Sequence, residues 1–223
     1  MADLGSGAFA NLIRHRSLAD IDAVVISHMH ADHFIDVVPL RYALKYGDRP
    51  REKKLPLYLP PGGQEMLQRM TAAFHRETDD DFLGSVFEVQ PFDPERGLRF
   101  GDVDVRFAAT SHYIPTFAMR FDSAGKCVVY SADTAPDDRV NALAQGANVF
   151  VCEATLSRAG EIEWPRGHLS ARQAAAMAQS AGVGHLVLSH YPATIDLAAM
   201  AHDAETGFSG PLTIADDGFS LEF

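Results

Sequence analysis

Short apolar runs recur along the chain, and the placement of polar residues within them separates strands from helices. Residues 103–107 alternate as Val-Asp-Val-Arg-Phe, which predicts an antiparallel strand with one packed face. The segment HLVLSH at 185–190 is continuously apolar at its centre, so we expect a strand that is buried on both faces. The same criteria predict strands at 21–27, 56–59, 86–90, 102–109, 117–122, 126–131, 148–152, 185–190 and 211–215.

Apolar residues at helical spacing appear between several of these strands. Ser170 is a favourable N-cap and Gly182 a favourable C-terminal stop for the segment ARQAAAMAQSA. No internal repeat, low-complexity tract or interdomain linker stands out. The pattern therefore predicts a single mixed α/β domain over residues 1–223, with helices covering its sheets. The predicted helices lie at 36–46, 62–77, 136–145, 170–181 and 195–206.

Composition is that of an ordinary globular protein, with 47% hydrophobic and 22% charged residues among 223. No stretch approaches the roughly 20 apolar residues of a membrane helix, and MADLGSGAFANLIRH lacks the apolar centre of a secretory signal. Cys127 and Cys152 lie inside apolar strand-like runs, which favours buried, reduced thiols. We therefore expect a cytoplasmic protein with no membrane partner.

The net charge of -11 gives the chain no broad attraction for polyphosphate. A nucleic-acid binder would need a local basic patch instead. Arg49, Arg51, Lys53 and Lys54 form one basic cluster, within GDRPREKKLP. Because prolines bound this segment, we interpret it as a solvated loop.

Ligand-type side chains are concentrated in SHMHADH, residues 27–33, which directly follows a buried-strand pattern. His28 and His30 are two positions apart, so their side chains point the same way on an extended backbone. Asp32 and His33 follow where the chain turns into the next predicted helix. Neutral imidazole and carboxylate groups are zinc ligands. The pattern predicts a metal site, with capping or surface histidines as the alternative.

Three further candidate ligands come just after apolar strands. His112 follows VDVRFAAT, Asp133 follows KCVVYS and His190 follows HLVLS. Individually, each is equally compatible with a turn or capping role. Together with SHMHADH they supply enough ligands for two metal ions.

Seven segments, in this order along the chain, resemble the metallo-β-lactamase fold hydrolases and, within them, the tRNase Z-like branch of phosphodiesterases. The resemblance runs from Asp3 to the C-terminus. It implies an α/β fold of the αβ/βα four-layer sandwich type, with metals at one edge between two sheets. The segments are DLGSGAFANL, SHMHADH, TSHYIPTFAMRF, YSADT, CEATLSRAG, GHLSARQAA and LVLSHYP.

The resemblance also implies two divalent metal ions, with Zn²⁺ as the first expectation and Mn²⁺ or Fe²⁺ as alternatives. A hydroxide would lie between them, activated for an in-line phosphoryl displacement. Asp32 would also accept the proton of this nucleophile. The implied ligands are His28, His30 and His112 for the first ion, Asp32, His33 and His190 for the second, and Asp133 as a bridge to both.

Two more residues match a dyad of the tRNase Z-like branch. His168, in PRGHLS, would face the scissile phosphate, and Glu153, in CEAT, would orient its imidazole. A protonated histidine held by a carboxylate can stabilise developing charge or protonate a leaving oxygen. The pair therefore favours a phosphodiester substrate over a lactam or thioester.

The start of the chain departs from the family pattern. Members of the family carry further residues ahead of the DLGSG element, which form the first strands of one sheet, whereas Met1 and Ala2 alone precede Asp3 here. We therefore expect the usual first N-terminal strands to be missing. The open sheet edge that results would favour a homodimer.

The segment between His112 and Asp133 also departs from the tRNA 3′-processing enzymes, which carry a long tRNA-gripping arm there. FAMRFDSAGKCVVYSADT runs from strand to strand through Asp122-Ser123-Ala124-Gly125, which predicts a tight hairpin. Together with the acidic charge, this favours a small or medium phosphodiester, including cyclic nucleotides and other nucleotides, over tRNA as the substrate.

Three alternatives to that phosphodiesterase stay open at the level of sequence. The first is a tRNA 3′-processing endoribonuclease. The second is a lactonase or thioester hydrolase on the same metals, which would leave His168 and Glu153 without a role. The third is an inactive metal-binding relic.

Overall fold

The computed structural model describes residues 1–47, 51–74, 81–158 and 167–223. Within these ranges the chain forms two compact units, Met1–Asp93 and Pro94–Phe223. The single domain over residues 1–223 stays a prediction.

The first unit is built on a parallel sheet of three strands among its described residues, in the order β1-β2-β3. These are β1 (Val24–Val25), β2 (Leu55–Leu59) and β3 (Phe87–Pro91). The start of the chain lies beside β1, where Ala2 forms a parallel bridge to Val25. The predicted strand at 21–27 is much shorter than expected. Beyond its C-terminal end, the backbone N–H of Ser27 donates to the Asp3 carboxylate rather than to a neighbouring strand.

Four helices and a 3₁₀ turn at Leu18–Asp20 surround this sheet in the described part of the unit. The helix predicted at 36–46 is present, and the one predicted at 62–77 begins as expected but ends at Thr71. Residues 75–77 of that prediction lie outside the described residues. Two of the helices, of eight and four residues, were not predicted. The helices are α1 (Ala8–His15), α2 (Ala31–Phe34), α3 (Val37–Tyr46) and α4 (Gly63–Thr71).

The second unit contains a mixed sheet of seven strands among its described residues, in the order β10-β9-β8-β7-β6-β5-β4. Neighbours from β4 to β7 are antiparallel, and neighbours from β7 to β10 are parallel. The prediction of an antiparallel strand at 103–107 is therefore confirmed. The strands are β4 (Leu98–Phe100), β5 (Val103–Ala109), β6 (Phe117–Ser123), β7 (Lys126–Tyr130), β8 (Val149–Glu153), β9 (Leu186–Ser189) and β10 (Leu212–Ile214).

Three described helices accompany this sheet: α5 (Asp138–Ala144), α6 (Ala171–Ala181) and α7 (Leu197–Glu205). Ser170 caps α6 as predicted, since its side chain accepts from the backbone N–H of Gln173 at 3.2 Å. Gly182 ends α6 in a left-handed conformation with φ 62. The alanine-rich face of α6 packs on the buried side chains of β8 and β9, including Phe150, Leu186 and Leu188.

The connection from β6 to β7 is a two-residue hairpin. Ser123 pairs with Lys126, and the two residues between them, Ala124 and Gly125, both have positive φ values of 50 and 76. Two consecutive positive φ values match the twist of antiparallel strands. The predicted tight hairpin is confirmed.

Cys127 and Cys152 are both free and buried, as expected. Burial raises the pKa of Cys127 to about 11 and raises that of Cys152 far above its usual range. Both thiols are therefore protonated near neutral pH. Among the described residues, no helix has the combination of length and apolar character that crossing a bilayer requires.

Candidate metal centre

In the first unit, the segment SHMHADH forms a short turn between β1 and α3. His30 precedes the first residue of α2, and its carbonyl accepts from the backbone N–H of His33 at 3.0 Å. Asp32 and His33 therefore lie on a helical turn, whereas the sequence placed them in a loop before the next helix. The four-residue length of α2 explains the error.

Three imidazoles of this segment are in contact. The ring centroids of His28 and His30 are 4.9 Å apart, and Nε2 of His28 lies 3.2 Å from Nδ1 of His30. The centroids of His28 and His33 are 4.0 Å apart. His28 and His33 are buried, whereas the Asp32 side chain is 63% exposed. The structure thus brings the three predicted histidines of this unit together.

Asp3 forms hydrogen bonds that orient this histidine cluster. Its Oδ1 accepts from the backbone N–H of Ser27 at 2.6 Å, and its Oδ2 lies 2.7 Å from both the Ser27 hydroxyl and Nδ1 of His33. A carboxylate only accepts hydrogen bonds, so Nδ1 of His33 carries a proton and Nε2 carries the lone pair. Asp3 lies in the DLGSG segment, but the sequence alone indicates no role for it.

The same reasoning fixes the tautomer of His28. The single proton of the Ser27 hydroxyl goes to Asp3, so the 3.0 Å contact between Ser27 Oγ and His28 Nδ1 must be donated by the imidazole. Nε2 of His28 is then the nitrogen with the lone pair. A carboxylate that orients a histidine ligand in this way is the usual arrangement behind a protein metal site.

The backbone of residues 3–5 fits tightly against that of α2. The N–H of Leu4 donates to the carbonyl of His33 at 2.7 Å. A Cβ atom on Gly5 would come within 1.6 Å of the carbonyl oxygen of Asp32. Only glycine is therefore compatible with this approach, and Asp3 itself has a positive φ of 55.

In the second unit, the site residues lie at one edge of the mixed sheet. β5, β7, β8 and β9 run in the same direction, so their C-terminal ends meet at that edge. His112, Asp133 and His190 follow three of these strands, and Glu153 ends the fourth. This placement agrees with the expectation that ligands gather where strands end.

Asp133 is the centre of this second cluster, and its side chain is 3% exposed. Its Oδ2 lies 3.8 Å from Nε2 of His112 and 3.9 Å from Nδ1 of His168. Its Oδ1 lies 3.6 Å from Nε2 of His190. Ligand atoms of one tetrahedral ion are about 3.3 Å apart when each bond is about 2.0 Å, so the distances from Asp133 to His112 and to His190 suit pairs of residues that share a metal ion.

Two hydrogen bonds orient the histidines toward Asp133. Nδ1 of His112 lies 2.7 Å from the carbonyl oxygen of Gly167 and must donate to it. The Thr155 hydroxyl donates to the carbonyl of His190 at 2.9 Å, so Nδ1 of His190 donates to Thr155 Oγ1 at 2.9 Å. Both imidazoles therefore carry the lone pair on Nε2, the nitrogen that faces Asp133. Sequence analysis did not single out Thr155.

His168 is held by Glu153, as the sequence predicted. Nδ1 of His168 lies 3.1 and 3.2 Å from the two carboxylate oxygens. Glu153 is 1% exposed and also accepts from the backbone N–H groups of Thr134 and Leu169, at 2.6 and 3.2 Å. These bonds fix the carboxylate, and the carboxylate fixes the imidazole.

The backbone beside the cluster is strained. Ala132 and His190 have positive φ values of 49 and 50. This conformation costs on the order of 1 kcal/mol for a residue other than glycine. Such strain persists where surrounding contacts enforce it, and it is common at functional sites.

Comparisons with known proteins agree with these features. A family model described as the beta-lactamase superfamily domain, Lactamase_B_2, matches residues 4–191. The probable metallo-hydrolase YhfI of Bacillus subtilis (strain 168) is 29% identical over 224 residues, covering 100% of this chain and 87% of YhfI. Ribonuclease Z of Mycobacterium bovis (strain BCG / Pasteur 1173P2) is 29% identical over 227 residues, covering 92% of this chain and 80% of that enzyme.

Solved structures show the same fold. The metallo-beta-lactamase fold protein YhfI from Bacillus subtilis has a TM-score of 0.83 at 28% identity, covering 98% of this chain and 84% of that one. Human tRNase Z, short form, has a TM-score of 0.74 at 20% identity, covering 99% and 86%. The Zn(2+)-bound PqqB from Methylobacterium extorquens has a TM-score of 0.77 at 17% identity, covering 100% and 82%. The family match and the YhfI likeness agree with the clusters of histidine and carboxylate side chains, and the chain belongs to the metallo-β-lactamase fold family of metal-dependent hydrolases.

Proposed function

We propose that this chain is a dinuclear metal-dependent phosphodiesterase that acts on small or medium phosphodiesters, cyclic nucleotides included. The observation that carries the proposal is the His168–Glu153 pair beside Asp133, with Nδ1 of His168 3.9 Å from an Asp133 oxygen. A lactone or thioester hydrolase would give this pair no task. The likeness to a protein named Ribonuclease Z supports a phosphodiester substrate.

The donor set of each unit fits divalent transition metals. Imidazole nitrogens whose tautomers are fixed by protein acceptors, with carboxylates beside them, suit Zn²⁺ first and Mn²⁺ or Fe²⁺ as alternatives. Two such ions would supply Lewis acidity and a water of lowered pKa. We assign His28, His30 and His112 to the first ion, Asp32, His33 and His190 to the second, and Asp133 to both.

The protein groups around the metals have distinct tasks in this proposal. Asp32, whose carboxylate is exposed, accepts the proton of the attacking water. His168, held through Nδ1 by Glu153, keeps a proton for the leaving oxygen or stabilises the charge that develops on it. Because two buried backbone N–H groups and the imidazole fix Glu153, the direction of the His168 ring is set before substrate arrives.

Processing of tRNA is the second candidate, favoured by the Ribonuclease Z relative. The two-residue turn at Ala124 and Gly125 argues against it, since β6 and β7 join directly at the place where tRNA-processing members carry an arm. We therefore expect tRNA binding to be weak and to fall steeply with salt. A cytoplasmic location is a further proposal, supported by the two free, buried thiols. A homodimer stays a prediction.

Hydrolysis of bis(p-nitrophenyl) phosphate with added Zn²⁺ or Mn²⁺ tests the proposal. The same preparation is assayed on cyclic nucleotides, a precursor tRNA, a lactone and a thioester. We expect turnover of the diester and of at least one cyclic nucleotide, and loss of both in Asp133→Ala. Asp138→Ala, which changes an exposed aspartate in the first turn of α5, is the matched control and should keep activity.

Each contrary result points to one alternative. Turnover of lactone or thioester alone would replace the phosphodiesterase with the second reaction class. Specific cleavage of precursor tRNA, with tight and salt-tolerant binding, would establish the endoribonuclease. Full metal loading without turnover of any substrate would leave a metal-binding relic.

A further inference from the structure

Tyr113 is a large aromatic side chain next to the proposed catalytic residues. Its ring centroid lies 5.1 Å from that of His112 and 6.1 Å from that of His168. Even so, the residue is 58% exposed. An aromatic ring beside two proposed site histidines is therefore largely exposed to solvent.

The ring lies directly on the main chain of residue 167. A Cβ atom on Gly167 would come within 2.3 Å of Cε2 of Tyr113 and within 2.5 Å of Cζ. The absence of a side chain at Gly167 thus allows the ring to approach the backbone, whose carbonyl also orients His112. One side of the ring therefore packs against the backbone at Gly167, and the residue as a whole is more than half exposed.

The loop that carries Tyr113 is fastened at both ends. The N–H of Thr110 donates to the carbonyl of Thr116 at 3.0 Å and closes the loop. The Ser111 hydroxyl donates to Asp137 at 2.7 Å, and the N–H of Ala135 donates to the carbonyl of Ser111 at 2.9 Å. The ring is therefore placed in advance, and a ligand stacking on it loses little affinity to ordering the loop.

If the phosphate of a nucleotide lies at His168, its base is one sugar ring away and can reach the Tyr113 ring. Nucleobases stack on exposed tyrosines with little regard to base identity, because every base has a π-face. An aliphatic phosphodiester offers no such group. We propose that Tyr113 is a stacking platform for the nucleobase of the substrate and makes the enzyme selective for nucleotide phosphodiesters.

This inference rests on the proposed function and is tested separately from it. Isothermal titration of the zinc-loaded protein compares AMP with ribose 5-phosphate, which has the same sugar and phosphate but lacks the base. We expect AMP to bind about 10-fold more tightly than ribose 5-phosphate, the usual gain from one stacked base. The variants are Tyr113→Phe, Tyr113→Leu and Tyr113→Ala, with Phe223→Ala as control. Phe223 is 50% exposed and lies near Lys126, at the opposite end of β7 from Asp133.

Tyr113→Phe and Phe223→Ala should keep the preference for AMP, whereas Tyr113→Leu and Tyr113→Ala should reduce it to about 1. Equal affinity for the two ligands in the wild type would overturn the proposal. So would a loss in Tyr113→Ala that is the same for both ligands, since that pattern marks a structural or phosphate-binding role. A preference for phosphocholine over AMP would assign the ring to a quaternary ammonium group instead.

The two proposals fail in different ways. Hydrolysis of bis(p-nitrophenyl) phosphate without a preference for AMP would refute the stacking platform and leave the phosphodiesterase standing. A preference for AMP that depends on Tyr113, in a protein that hydrolyses no diester, would refute the phosphodiesterase and leave the stacking platform standing.

Discussion

Oδ2 of Asp3 lies 2.7 Å from Nδ1 of His33, although the two residues are 30 positions apart in the sequence. The same carboxylate oxygen accepts from Ser27, which in turn accepts from His28. One carboxylate therefore sets the tautomer of two predicted ligands, and both belong to the segment SHMHADH.

Replacing this carboxylate by an amide should weaken metal binding. In Asp3→Asn the amide can offer an N–H to His33, which favours the wrong tautomer, and the negative charge is lost. We expect the metal affinity to fall by roughly 10- to 100-fold, measured by competition with a chromophoric chelator. Glu65→Gln, an exposed change on α4 in the same unit, should have no effect. Equal affinities in wild type and Asp3→Asn would show that Asp3 does not act on the metals.

Removal of Asp133 should empty both predicted metal sites. Its two oxygens face His112 and His168 on one side and His190 on the other, which is the geometry expected of a bridging ligand. We expect about two divalent ions per chain in the wild type and few in Asp133→Ala, measured by elemental analysis of dialysed protein. Retention of one full equivalent in the variant would restrict Asp133 to a single site, and retention of two would remove it from the ligand set.

The dyad should act on the leaving group rather than on the metals. We expect His168→Ala to slow hydrolysis of an unactivated diester by roughly two to four orders of magnitude, with metal content unchanged. The rate of hydrolysis of a p-nitrophenyl ester should fall less, because its leaving group needs little protonation. Glu153→Gln should give a milder defect by loosening the imidazole.

The measurement is kcat on both substrates at matched metal occupancy. Equal losses on the two esters would assign His168 to charge stabilisation or positioning. Unchanged rates on both esters would show that the dyad has no role in phosphodiester hydrolysis. Lactones and thioesters would then be the substrates to test.

Asp137 should stabilise the second unit in a pH-dependent way. Burial raises its pKa, but hydrogen bonds from Arg139 and Ser111 outweigh this and bring it down to about 2, from a usual value of 3.8. A lowered pKa in the folded state means that the contribution is fully present above the unfolded value and is lost as the pH falls from 3.8 towards 2.

Asp137→Asn removes the charge while keeping a good N-cap for α5. The difference in Tm between wild type and variant, both metal-free, should be largest above about pH 5 and should shrink as the pH approaches 2. A difference that stays constant over this range would mean that the charge of Asp137 contributes nothing to stability.

The turn between β6 and β7 offers a test of backbone strain. Ala124 has φ 50, where a residue with a Cβ is disfavoured and asparagine is better tolerated than alanine. Ala124→Asn should raise Tm by roughly 2 °C, the shift expected for somewhat less than 1 kcal/mol in a protein of this size. Gly125→Ala should lower Tm by a similar amount, since its Cβ would meet open space and only the backbone would be strained. An unchanged Tm in both variants would show that the turn relaxes without cost.

Sequence patterns predicted the separate elements better than the contacts between them. The capped helix α6 and the hairpin at Ala124 follow from local rules, because the residues that fix them are neighbours in the sequence. The contacts that orient the candidate ligands cross long intervals: 35 residues between Thr155 and His190, and 55 between His112 and Gly167. Periodicity indicates which face of a strand is buried, but it does not indicate which loops meet at the end of the sheet.

Residue types, rather than periodicity, predicted the candidate site. Histidines placed just after apolar strands made His28, His112 and His190 candidates, and the family resemblance implied that they are ligands. Asp3 and Thr155 escaped notice because a single aspartate or threonine is common in any loop. Their importance appears only when the atoms that they contact are known.

The close approach of Gly5 to the carbonyl of Asp32 has a consequence for recognising relatives of this chain. A methyl group at position 5 would push α2 away from residues 3–5 and displace His33 without altering a single ligand. A homologue that keeps all seven proposed histidine and aspartate ligands but carries a larger residue at this position would look like an enzyme by inspection of those residues. We would expect it to have lost the second proposed ion, so this glycine would be as informative as a histidine for separating active members of the family from inactive ones.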